Sequence, residues 1–168
     1  KGQAFDEILI LENEAATKAN VTNVLDWLAR RFSARAHDPS KRTRFLFIYE
    51  GHGVRGDGPY DVGSLVLHGS ERGASDYLFA LNSLGGDLKS VASKATQSVF
   101  FLVACYSGGI VGNSPFSRGR ISERTSVAVA ASDNNSVAWL NKDNTGTMFF
   151  DEFFATVNRR KSYYDAVK

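Results

Sequence analysis

Apolar runs that end in small-residue turns alternate along this chain with stretches whose apolar positions recur every three or four residues. Residues 7–11 (Glu-Ile-Leu-Ile-Leu) read as a first strand. After a polar turn, Val21, Val24, Leu25, Leu28 and Phe32 fall at helical spacing and predict an amphipathic helix. Residues 36–43 are polar and basic, and the strand Arg44–Glu50 follows them. The next stretch, residues 51–73, is glycine-rich and contains a short strand at 64–67. Ser83 is placed to cap a helix that runs to about residue 94, with Leu84, Leu88 and Val91 facing inward. A second long apolar run, Val-Phe-Phe-Leu-Val-Ala-Cys, occupies residues 99–105. A strand at 126–131 and a helix over Met148–Asn158 complete the pattern. Runs rich in Val, Ile and Phe, such as 45–49 and 99–104, read as strands buried on both faces of a parallel sheet. Strands alternating with helices predict an α/β fold, a three-layer α/β/α sandwich with a mostly parallel central sheet.

Composition narrows the function without choosing it. At 168 residues the chain reads as one domain. A formal charge of +2 gives no reason to expect nucleic acid or an anionic membrane as partner. The apolar runs are too short to span a bilayer. One cysteine cannot form an internal disulfide, which suits a reducing compartment and makes the cytoplasm the expected location. Residues 1–5 look like the end of an element, so an N-terminal strand or regulatory segment is expected before them.

Candidate chemistry sits at the ends of two strands. The run into Tyr49-Glu50-Gly51-His52-Gly53 delivers His52, and the run into Ala104-Cys105-Tyr106-Ser107-Gly108-Gly109 delivers Cys105, the chain's one cysteine. In open α/β sheets, ligands bind outside the carboxyl ends of the strands. Taken singly, a free cysteine is commonly an inert small hydrophobe and a loop histidine a hydrogen-bonded turn residue. Paired at two strand ends, they are the minimum apparatus of a cysteine hydrolase. The small polar residues after Cys105 suit the start of a helix, whose N-terminus stabilises a thiolate. Flanking glycines let substrate approach His52 closely, and the N–H groups of Gly53 and Cys105 are candidates for an oxyanion hole.

These two motifs resemble the paired motifs of the caspase-like cysteine peptidases, which include caspases, metacaspases and bacterial relatives. In that family a Tyr-Ser-Gly-His-Gly-like turn carries the base, and an Asp-x-Cys-x-Ser-Gly-like turn the nucleophile. Residues 8–28 are similar to the strand–helix unit before the histidine motif, and residues 125–139 to the later strand and substrate-binding loop. The resemblance spans roughly residues 5–155. It implies a cysteine endopeptidase with His52 as general base and Cys105 as nucleophile, acting on protein or peptide substrates. By the same resemblance Asp133, with Ser132 and Asn134 beside it, faces a basic P1 side chain, which a carboxylate would bind by charge-assisted hydrogen bonds. The plainer role for Asp133 is to initiate the Ser-Asp-Asn-Asn turn. The sequence departs from the family pattern at Glu50 and at Val103, a position that lines the primary specificity pocket. The chain would divide into a large portion (1–111), a linker (112–125) and a small portion (126–168). Linkers of this kind are cut during activation, which makes Arg118, Arg120 and Arg124 candidate autoprocessing sites; the alternative is a solvated basic loop.

Two other motifs compete for the same residues. Gly51-His52-Gly53-Val54-Arg55-Gly56 matches a dinucleotide-binding fingerprint, but Asp57-Gly58-Pro59 blocks the helix those glycines should open. Asn141, Asp143, Thr145, Gly146, Met148 and Glu152 fall at EF-hand loop positions, although the incoming segment reads as strand plus turn. No cofactor is required by the chemistry, and calcium as an activator stays open. No cysteine–histidine spacing suggests zinc. The alternative to an enzyme is a catalytically idle caspase-like scaffold or protein-binding module.

Overall fold

The computed structural model describes residues 6–35, 42–56, 63–69, 78–109, 126–133, 135–143 and 146–158. After a short 3-10 turn (Asn13–Ala15), the elements run α1 (Lys18–Arg35), β1 (Arg44–Glu50), β2 (Gly53–Val54), β3 (Ser64–Val66), β4 (Leu78–Ala80), α2 (Leu81–Ala92), β5 (Gln97–Val103), β6 (Ser126–Ala130) and α3 (Met148–Asn158). Strands β1, β5 and β6 form a parallel sheet in the order β1-β5-β6. Strands β2, β3 and β4 form a small antiparallel sheet.

Helix α1 begins where Thr17 Oγ1 accepts a hydrogen bond from the Asn20 amide at 3.2 Å, a side-chain cap on the first turn. Its apolar stripe buries Leu25, Ala29 and Phe32 against the sheet. Alternation along the strands sends Phe45, Phe100 and Leu102 to the same core. There Phe32 meets Phe45 edge-on at 6.1 Å, and Phe45 meets Phe100 at 5.7 Å. Leu84, Leu88 and Val91 of α2 close this layer. On the opposite face Phe101 of β5 packs against Phe149 and Phe153 of α3, the latter at 5.1 Å. Helices therefore cover both faces of a parallel sheet, as the alternating pattern predicts.

Three expectations need correction, and two short strands go beyond them. Residues 7–12 form no strand: Ile8, Leu9 and Ile10 are exposed, and Glu7 is engaged by Arg31 of α1 at 2.6 Å. A cavity of about 1120 Å³ is lined by this segment together with α1 and β1, so no ladder forms between the segment and β1. Strand β1 is a sheet edge among the described residues, and it is not buried on both faces. Phe45 is buried, but Leu46 and Ile48 on the opposite face are 37% and 51% exposed. Ser83 does not cap α2. The helix starts at Leu81, straight from β4, and the Leu81 amide donates to the Gly63 carbonyl at 3.0 Å. Last, β2 and β4 were not expected; at two and three residues they are too short to show a period.

Candidate active site

The register of the parallel pair sets the two motifs side by side. Glu50 pairs with Val103, so His52 and Cys105 each lie two residues beyond the same rung. The ladder extends one step further, with the Gly51 amide donating to the Val103 carbonyl at 3.1 Å. Past this point the motifs touch through their backbones. A Cβ on Gly53 would collide with the Cys105 carbonyl oxygen, well inside any real contact. Only glycine allows this approach. Gly53 lies opposite Leu65, while the Val66 amide donates to the His52 carbonyl at 2.9 Å. Hydrogen-bonded positions alternate along an antiparallel pair, so the Gly53 amide points away from β3.

Tyr49 holds the histidine turn from below. Its hydroxyl lies 2.9 Å from the His52 carbonyl and 2.8 Å from the Val66 carbonyl, with one proton to share between them. Burial pushes the Tyr49 hydroxyl up to about 12, while the bond to Val66 acts in the opposite direction. The imidazole of His52 itself is exposed.

Cys105 is half-buried in a turn over residues 105–108. Gly109 is helical and residues 110–125 lie outside the described residues, so the expected helix at the thiol is not described beyond Gly109. Tyr106, next to the thiol, has φ +58°, a left-handed conformation that costs a non-glycine residue on the order of 1 kcal/mol. The surroundings hold it there. Its amide donates to the Ser136 carbonyl at 2.9 Å, and Ser107 behind it is wholly buried. Among the described residues the Ser107 hydroxyl has no hydrogen-bond partner.

Residues 132, 133 and 135–138 wrap this turn. Ser132 donates its hydroxyl to the Ala104 carbonyl at 2.9 Å and accepts from the Ser107 amide at 3.3 Å. Gly108 lies so close to Ser132 and Asp133 that a Cβ there would stand 2.5 Å from their backbone atoms. The Ala138 amide lies 3.4 Å from the Cys105 sulfur and the Ala138 carbonyl 3.8 Å. Asp133 is exposed, and its carboxylate accepts from the Asn135 amide at 2.7 Å. That bond, with a second from the Ser136 side chain, holds the Asp133 carboxyl below its usual value. Arg55 reaches across from the histidine side to the Asn135 side-chain oxygen at 3.3 Å.

The sequence-derived residues thus separate into groups. His52, Gly53, Cys105, Ser132 and Asp133 surround one turn. Val103 lies beneath it, only 1% exposed, and presents no side-chain surface to line a specificity pocket. Asn134, Arg118, Arg120 and Arg124 lie outside the described residues. The EF-hand alternative lacks its incoming helix. Residues 139–143 and 146–148 instead pair with one another, with Leu140 bridged to Thr147, the Asn141 amide on Gly146 and the Met148 amide on Trp139. The Asn141 side-chain amide donates to Asp151 at 3.0 Å. Tyr49, Gly108 and Ala138 were missed as site residues. A tyrosine three residues before the histidine is plain in the sequence but reads as core, and the contribution of Ala138 comes from its main chain alone.

A half-buried thiol and an exposed imidazole at the carboxyl ends of adjacent parallel strands define an α/β protein with the elements of a cysteine hydrolase. The caspase-domain family model matches residues 5–168, and the chain belongs to this family of cysteine peptidases. Comparison with curated proteins and with solved structures gives no match. No helix among the described residues is long and apolar enough to cross a membrane.

Proposed function

We propose that the protein is a cysteine endopeptidase in which Cys105 is the nucleophile and His52 the general base. His52 takes the thiol proton, and the sulfur attacks the scissile carbonyl carbon. The N–H groups of Gly53 and Cys105 hold the resulting oxyanion. The imidazolium returns the proton to the departing amine, and water then hydrolyses the thioester. The observation that carries this reading is the backbone contact of Gly53 with Cys105, which brings the two motifs together. Asp133 supports cleavage after Arg or Lys: it is exposed beside the nucleophile turn and stays ionised well into the acid range. The protein also cuts itself within residues 112–125 after Arg118, Arg120 or Arg124, on the same preference.

The test is a peptide library assayed for P1 preference with and without calcium, beside labelling by a peptidyl halomethyl ketone. Cleavage after Arg or Lys that vanishes in Cys105→Ala, with the fold intact by circular dichroism, is the expected result. Wild-type protein that neither cleaves nor labels under either condition overturns the proposal in favour of a scaffold. Mass spectrometry of the purified chain after prolonged incubation tests self-processing, and an intact chain counts against it.

A further inference from the structure

The sulfur of Cys105 is held by the main chain of a residue whose side chain is a methyl group. The Ala138 amide approaches Sγ at 3.4 Å and the Ala138 carbonyl at 3.8 Å. A neutral thiol satisfies both contacts, accepting from the N–H and donating its own proton to the oxygen. Ionisation removes that proton. The carbonyl contact then loses its basis, while the amide contact becomes a charge-assisted bond roughly twice as strong as a neutral one. Of the two contacts, only the amide is strengthened when charge appears on the sulfur, while the carbonyl dipole opposes it.

The amide is also fixed in place before any substrate arrives. Ser132 ties Ala104 to Ser107, the Tyr106 amide is bonded to Ser136, and Gly108 sits against the backbone of Ser132 and Asp133. A donor anchored on both sides of the thiol needs little reorganisation when charge appears. The charged and titratable groups on the two turns and the wrapping loop are Glu50, His52 and Arg55 on the histidine side, Asp133 on the loop, and Tyr106 beside the thiol. None of them hydrogen-bonds to Sγ among the described residues. Asp133 is engaged with Asn135 and Ser136, and Arg55 with Asn135.

We propose that the main-chain amide of Ala138 is the donor that stabilises the Cys105 thiolate, so that the loop residues Ser132, Asp133, Ser136 and Ala138 set the reactivity of the nucleophile. This rests on the reading of Cys105 as the nucleophile, but its test needs no turnover. The chain has one cysteine, so the rate of alkylation by iodoacetamide reports Cys105 alone. Replacing Ala138 by lactic acid turns the amide into an ester and deletes the N–H while keeping the methyl group. The alkylation profile then moves to higher pH by about one unit, and alkylation at pH 7 slows about tenfold. Ala138→Gly, which keeps the N–H, leaves the profile in place. An ester variant with an unchanged profile overturns the proposal.

A measurement on the unaltered protein stands beside these variants should the ester variant fail to fold. The Ala138 amide proton moves downfield across the pH range in which Cys105 becomes reactive, and does not move in Cys105→Ser. A resonance indifferent to that range overturns the proposal. Should the profile shift in a protein that cleaves no peptide, the amide assignment holds and the peptidase reading falls. Peptide cleavage with an unmoved profile leaves the peptidase reading standing and removes the amide assignment.

Discussion

Strands β1 and β5 are seven residues each and paired along their whole length, yet they serve the site differently. Strand β5 lies between β1 and β6 with helices on both faces, and five of its residues are buried. It carries Cys105 out of packed surroundings that leave the thiol turn little freedom. Strand β1 is an edge with one open face, and the histidine turn it carries is exposed. Main-chain bonds supply what packing does not. Val66, Val103 and Tyr49 each bond to the backbone of residues 51–52. A thiol turn held by packing lies beside a histidine turn held by hydrogen bonds.

Substitutions sharpen this contrast. Leu102→Ala on β5 removes a side chain that is 1% exposed and is expected to cost about 3 kcal/mol in urea unfolding. Ile48→Ala on the open face of β1 should cost well under half of that; equal losses would mean that β1 is covered in solution. Next is Gly53→Ala. Its Cβ must push the Cys105 carbonyl aside. Under the proposed mechanism a displacement of about 1 Å lowers kcat/KM about 100-fold while circular dichroism stays native. An active Gly53→Ala would show that the two turns need not touch.

Tyr49→Phe should destabilise by about 1 kcal/mol, because the His52 carbonyl still receives the Val66 amide. The same variant changes the alkaline limb. Burial raises Tyr49 from its ordinary 10.0 to about 12, so the neutral hydroxyl is favoured by folding. That contribution is complete below the ordinary value of 10.0 and is lost as pH rises towards 12. Thermal unfolding across this range should therefore fall less steeply in Tyr49→Phe than in the wild type. The smallest stability effect belongs to Asp133→Asn. The folded carboxyl is held low, so its contribution is present above the ordinary carboxylate range and lost as pH falls through the folded value. At neutral pH the variant should therefore be slightly less stable than the wild type, with the difference vanishing in acid, and lose selectivity for Arg and Lys in the library assay. Retained selectivity would restrict Asp133 to the turn it caps.

Much of this architecture was legible from periodicity. Helices α1, α2 and α3 are placed within a few residues, because Leu25, Phe32, Leu84, Leu88 and Val91 repeat at helical spacing and are the residues the core buries. The apolar runs of β1 and β5 are equally plain, and the turns that end them mark His52 and Cys105. Periodicity could not say which strand would be an edge. Leu46 and Ile48 look like core residues in sequence, yet both are exposed and line one cavity with residues 7–11.

The order of the elements and the residue types at the two turns were fixed by the chain itself, since short-range patterns express local preference and which face is apolar. Which atoms meet the sulfur was decided only by tertiary structure. Ala138 is 33 residues from Cys105, and the contact uses an N–H that almost every residue possesses. Side-chain identity carries no trace of a bond made by the backbone, so it comes into view only once the loop is laid against the turn.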